Sequence, residues 1–249
     1  EILLAKVRVL REQNQDDAAF EILLKARELY TGRRIPEGRL RAGHQMLEIH
    51  PEDPAVYEDL AEAHLDRHEN SQALQRFYEA IKLGRQQGQT KENLRRVQRI
   101  LDMAPEESRA LEEKIAILQE AGEKEACEQT RIELAQLYMR KDLAGKATRI
   151  LEEAIEAGVS TPGPYQTLAE LYLARGMQEK AIVQLEALAE NLLSADKMED
   201  AIRVYQRVLE LEPKRAEARN RLALLFRHGG KIEDAIEQYF QIAQIYREK

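Results

Sequence analysis

Apolar residues recur along the chain at steps of three and four, as in Ile2, Leu3, Val7 and Leu10 or in Leu222, Leu225 and Phe226. This spacing lines one face of an α-helix, where a strand would alternate every second residue. Runs of β-branched and aromatic residues that would mark strands are missing. Short polar breaks separate the periodic segments, and three of them hold Gly122, Gly176 and Gly230 at a constant interval of 54. The same interval, carried backward, reaches His68 and Asn14 in the polar strings DRHENSQAL and REQNQDDAA. One recurring turn between helices is therefore expected at all five places.

The positions around that turn repeat as well. Five residues after it stand Ala19, Ala73, Cys127, Ala181 and Ala235, all small, as close approach of a neighbouring helix requires. Four residues before it stand Leu10, His64, Leu118, Tyr172 and Phe226, where a large buried side chain is expected and only His64 departs. The strings ending at Pro51, Pro105 and Pro213 close a further helix in each repeat, with Val159 in place of the fourth proline. Proline holds the residue before it in an extended conformation and so ends a helix.

These marks divide the chain into units 1–51, 52–105, 106–159 and 160–213 and a part-unit 214–249. Each full unit should hold three helices, placed in the fourth at 163–175, 178–195 and 198–211. About 14 antiparallel helices result, so the fold class is all-α, an α-α superhelical solenoid. The string TPGP at 161–164 is too short to separate independent domains, and a single array over 1–249 is expected. Neither end shows a polar capping face, which suits a piece of a longer array or an end buried by another chain.

Composition agrees with helices and narrows the function. One third of the 249 residues are charged, there is no Trp, and the net charge is −7, from 45 acidic against 38 basic residues. An acidic balance disfavours a polyanion-binding surface, so nucleic acid is not an expected partner. No apolar run approaches the roughly 18–20 residues that cross a bilayer. The chain is expected to be soluble, with the cytoplasm weighed above other compartments. Cys127 is the only cysteine, which leaves neither a disulfide framework nor zinc-ligand spacing.

From Glu217 to Tyr239 the chain carries Leu222, Ala223, Phe226, Gly230, Ala235 and Tyr239 at the spacing of the tetratricopeptide consensus. Tyr57, Leu60, Ala61, Ala73, Phe77 and Ala80 repeat the match, as do Leu168, Ala169, Tyr172, Gly176 and Ala181. The chain thus resembles the tetratricopeptide repeat family over most of its length. It departs in period, since a family unit has about 34 residues and two helices. Helix 178–195 reads both as the second helix of one repeat, through Ala181 and Leu185, and as the first of the next, through Leu188 and Ala189. With three helices per unit and two alternating layers, equivalent residues should change layer every 54 positions and share a surface only every 108.

The resemblance implies a protein-interaction scaffold that holds a partner helix or extended peptide on a concave surface, with no cofactor. Catalytic signatures such as a phosphate loop, GxGxxG or HExxH are missing, and no enzymatic activity is expected. His64 and His68 have the i, i+4 spacing of a helical metal site, but they occupy a packing slot and a turn slot, and no metal is expected. Arg41, Arg95, Arg149 and Arg203 form a 54-spaced series whose forked guanidinium groups suit carboxylates, and Arg96 and Arg99, with Lys91 and Arg85 near, add the most basic local segment. Each could equally pair with a carboxylate on its own solvated face. Tyr30, Tyr138 and Tyr246, 108 apart, fall on a consensus core position. Some family members clamp an acidic tail with Lys, Asn and Arg on first helices, where this chain has Glu58, Asp59 and Glu62 or Gln166, Thr167 and Glu170, so that mode is not expected. Ile242, Ala243 and Tyr246 near the end mark a surface for stacking or dimerisation, the structural alternative. An RNA-binding helical repeat is the third possibility and lacks the basic groove it needs.

Overall fold

A computed structural model describes residues 2–159 and 161–248. Among them are fourteen helices and no strand. The chain divides into two compact halves, meeting at Gly122 and Glu123. The first half holds α1 (Ile2–Glu12), α2 (Asp16–Gly32), α3 (Pro36–Ile49), α4 (Pro54–Leu65), α5 (Asn70–Gln86), α6 (Thr90–Met103) and α7 (Ser108–Ala121). The second holds α8 (Lys124–Arg140), α9 (Ala144–Glu156), α10 (Gly163–Ala174), α11 (Gln178–Ser194), α12 (Met198–Leu211), α13 (Ala216–His228) and α14 (Ile232–Arg247). The three helices placed by sequence in the fourth unit are α10, α11 and α12, within one residue at every boundary.

Backbone geometry explains why the turns repeat. Asn14, His68, Gly122, Gly176 and Gly230 all have positive φ, between 55° and 73°. The five equivalent positions thus share one left-handed conformation, which reverses the chain after a helix and favours glycine. A second series lies at the same interval: Arg34, Gly88, Asp142 and Asp196, with φ from 54° to 69°. Only one of its four members is glycine, which hid it from sequence reading. The third turn of each unit is extended instead. His50, Ala104 and Glu212, each before a proline, share φ between −123° and −137° and ψ between 81° and 86°. Where Val159 replaces that proline, α9 closes through Gly158 at φ 79°. At the helix starts, Pro36, Pro54 and Pro164 sit in the first turn, where their missing N–H costs nothing.

The small-residue series is buried throughout, from Ala19, Ala73 and Ala181 to Cys127. Burial pushes the Cys127 thiol above its ordinary range. Leu118, Tyr172 and Phe226 of the large series are buried, Leu10 is half-buried, and His64 is covered while its Nδ1 meets Glu69 Oε2 at 2.7 Å. In the first half one core gathers Val7, Leu23, Met46 and Leu60, and another gathers Phe77, Ile81, Val97 and Ile100. In the second half the core runs from Ala169 and Ile182 through Tyr205 and Val208 to Leu222 and Phe226.

Each half is a two-layer stack of helices. Consecutive helices within a half pack on each other, and cross-links join helices two apart: Arg11 of α1 to Glu48 of α3, Arg99 of α6 to Glu62 of α4, and Arg215, the N-cap of α13, to Glu186 of α11. Helices of equal parity therefore lie side by side, so α3 and α6 occupy opposite layers of the first half, and α9 and α12 opposite layers of the second. An odd number of helices per unit forces this change of layer.

Candidate functional site

Each half carries an open furrow between side-by-side helices of one layer. In the first half it lies over α2, α4 and α6, with a volume of about 450 Å3. Its walls carry Arg27 and Glu28 of α2, Glu58, Asp59 and Glu62 of α4, and Arg95 of α6. Four carboxylates against two guanidinium groups make it acidic.

The α6 arginines are held by α4. Glu58 accepts from Arg95 Nη2 at 2.6 Å and from Arg96 Nε at 2.8 Å, and Glu62 accepts from Arg99 Nε at 2.7 Å and Nη2 at 2.9 Å. The hydrogen bond to Glu62 holds the Arg99 guanidinium above its ordinary range. Arg39 of α3, also buried, donates to Asp59 at 2.8 Å and Asp66 at 2.7 Å. Forked pairing of this kind fixes both spacing and rotation of the helices it joins.

The predicted arginines thus fall in different environments. Arg96 is 3% exposed and bonds Glu58, Asn93 and Gln89, so it braces the repeat from inside and is not presented to a partner. Arg95 and Arg99 reach the surface already paired, and Arg85 of α5 turns to Glu113 and Glu120 of α7. The basic segment is therefore closed by acidic neighbours. Arg41 is exposed on α3; Arg149 stands 3.5 Å from Glu153, and Arg203 bonds Asp200, both still more than 70% exposed. His64 bonds Glu69 and His68 forms the turn; among the described residues no group of His, Cys, Asp and Glu could hold a metal ion.

In the second half the furrow lies between α10 and α12 over α11, with a volume of about 460 Å3. Leu185, Leu188 and Leu192 of α11 form its floor at helical spacing, with Val204 beside them. Its rim carries Lys197, Arg203 and Arg207 against one carboxylate, Asp200. Sequence reading found Arg203 but passed over Lys197 and Arg207. The signal for them lay in comparing Glu58 with Gln166, 108 residues on.

A different surface runs along α14, where Ile232, Ile236, Tyr239, Phe240 and Tyr246 are each at least 38% exposed. These residues share one helical face with the exposed Ala243, and Ile242 is half-buried beside it. Tyr246 departs from the expected core position: Tyr138 is buried and Tyr30 is half-buried, but Tyr246 is 63% exposed because no helix covers that side of α14 among the described residues.

Residues 186–248, from mid-α11 through α14, match the tetratricopeptide repeat family. This stretch is a tetratricopeptide-repeat segment. Consecutive helices pack on one another in the same way within both halves. Among curated proteins nothing matches significantly. Solved structures similar to the chain include the apo form of RapI, 12% identical, covering 92% of this chain and 97% of its own, with a TM-score of 0.37. An assembly chaperone of RpL4 is 17% identical, covering 94% and 98%, with a TM-score of 0.34. MamA of Desulfovibrio magneticus RS-1 is 14% identical, covering 92% and 96%, with a TM-score of 0.24. Likeness at this level carries no functional argument. No helix is long and apolar enough to cross a membrane among the described residues.

Proposed function

We propose that this chain is a non-catalytic scaffold that holds a helix or extended peptide of a protein partner on a concave surface formed by one layer of helices. The observation that carries this reading is the pair of open furrows between side-by-side helices, whose walls carry the exposed or half-exposed Arg27, Glu28, Glu58 and Arg95 in the first half and Gln166, Arg203 and Arg207 in the second. A furrow with an apolar floor and polar rim is the shape that accepts a peptide through a few anchors. Stacked tetratricopeptide helices supply such furrows without loops, so the site is preorganised and binding costs little reordering. Selection of peptides from a random displayed library on the folded protein tests this. Peptides that bind saturably, and lose binding when the protein is unfolded in urea, are expected; recovery of none would contradict the scaffold reading.

The apolar face of α14 favours a second reading, in which the chain also associates with itself. Full burial of a large apolar side chain contributes about 1.5–3 kcal/mol, so covering even part of the stripe at Ile236, Tyr239 and Phe240 is favourable. Sedimentation of wild type and Phe240→Glu distinguishes the cases. Self-association lost in the variant is expected; a wild-type monomer at high concentration would end this reading.

A further inference from the structure

The 54-residue register gives the apolar face of α14 a specific role. This helix is the equivalent of α2, α5, α8 and α11, and each of those packs against the helix that follows it. In α11 the positions equivalent to Tyr239, Ala243 and Tyr246 are Leu185, Ala189 and Leu192. All three are buried in a core shared with Ala201, Tyr205 and Val208 of α12. In α14 the same face is open among the described residues, with Tyr239 38% and Tyr246 63% exposed. It has the form of a seat for an antiparallel helix.

The pattern of such a helix is present on α14 itself. Ala201, Tyr205 and Val208, which α12 turns into the core, stand at steps of four and three. Ile236, Phe240 and Ala243 repeat those steps on the exposed side of α14, with an aromatic ring again in the middle. The stripe can therefore serve both as the seat and as the helix that fills it.

Charge fixes the direction. Glu233 and Asp234 lie in the first turn of α14 and Arg247 in the last. Two antiparallel copies set the acidic turn of one beside the basic turn of the other, whereas a parallel pair sets like charge against like. The stack also continues across such a pair. Successive helices alternate between two layers, so the incoming α14 falls in the layer of α13, and symmetry gives the partner the same arrangement.

We propose that two copies of this chain join through α14, antiparallel and related by a two-fold axis, each α14 taking on the other the place that α12 takes on α11. The contact uses the same face of both copies, so it closes as a dimer and does not propagate. This inference rests on the self-association reading above and supplies its geometry.

Cross-linking between unlike ends of α14 tests it. Cys127→Ala, which places at 127 the residue found at its equivalents 19, 73, 181 and 235, gives a chain without cysteine. Glu233→Cys and Arg247→Cys are made separately in that background; both sites flank the stripe and leave its apolar residues intact. The two sites are about 21 Å apart along one helix, beyond the reach of a short bismaleimide. The mixed variants should give many times more covalent dimer than either variant alone, and Phe240→Glu in both should abolish it. Cross-linking as strong in each variant alone as in the mixture, no cross-linking in a mixture that sediments as a dimer, or cross-linking that survives Phe240→Glu would overturn the inference while leaving self-association standing. A wild-type chain that sediments as a monomer at high concentration would remove both.

Discussion

Arg96 donates from Nε to Glu58 Oε2 at 2.8 Å, joining α6 to α4, two helices that are not consecutive in the chain. The guanidinium is 3% exposed and its partner 20%, so removal of Glu58 strands a charge that water reaches poorly. Asn93 and Gln89 still bond Arg96, which limits the loss. Glu58→Ala should destabilise the protein by about 1–3 kcal/mol. Gln166→Ala, at the equivalent place in the second half, should change stability by less than about 0.5 kcal/mol. Urea unfolding of both variants checks the contrast.

The left-handed turns give a second expectation. His68 and Arg34 hold φ of 61° and 54°, a conformation that costs a residue with a Cβ roughly 1–2 kcal/mol. His68→Gly and Arg34→Gly should each stabilise by up to about 1 kcal/mol, since the gain is offset by the freer unfolded chain. Gly176→Ala should destabilise. Thermal unfolding reads all three.

Helix α5 passes close to α6 at Gly84. A Cβ there would lie 2.6 Å from Arg96 Nη1 and would also press on the Asn93 amide. Gly84→Ala should cost about 1–3 kcal/mol through overpacking, although alanine is the better helix former. Combining it with Glu58→Ala should give less than the sum, because both act on the Arg96 cluster.

Tyr78, Tyr172 and Tyr205, each with its hydroxyl raised by burial, set an alkaline limit. Burial, then the hydrogen bond to Glu152, pushes the Tyr172 hydroxyl up to about 12, and burial beside Glu190 raises Tyr205 further. A raised folded pKa means that the native state holds its proton more tightly than the unfolded chain, whose tyrosines ionise near 10. The stabilisation is complete below that value and is lost as pH climbs from about 10 through 12. Tyrosinate absorbance followed with helical circular dichroism should show a late group of tyrosines ionising together with unfolding.

Much of this fold was legible because its repeat is written in residues with one physical job. Gly122, Gly176 and Gly230 announced a turn that His68 and Asn14 also make, and the buried alanines announced close helix contact. The Arg34 to Asp196 turns were not legible, because Gly88 is the one glycine among the four positions and the interval therefore shows no glycine series. Arg39 and Arg96 were hidden for a related reason: arginine reads as surface, and only the facing Asp59 and Glu58 make its burial tolerable. In the furrow, Arg203 stood out by its spacing, whereas Lys197 and Arg207 became visible once Gln166 was seen to lack the charge of Glu58.

Hydrogen exchange of the wild-type protein with and without a selected peptide tests partner binding most directly. Protection along the walls of a furrow, α2, α4 and α6 in the first half or α10 and α12 in the second, is predicted. Unchanged exchange in the walls of both furrows, with protection only along α14, would contradict it.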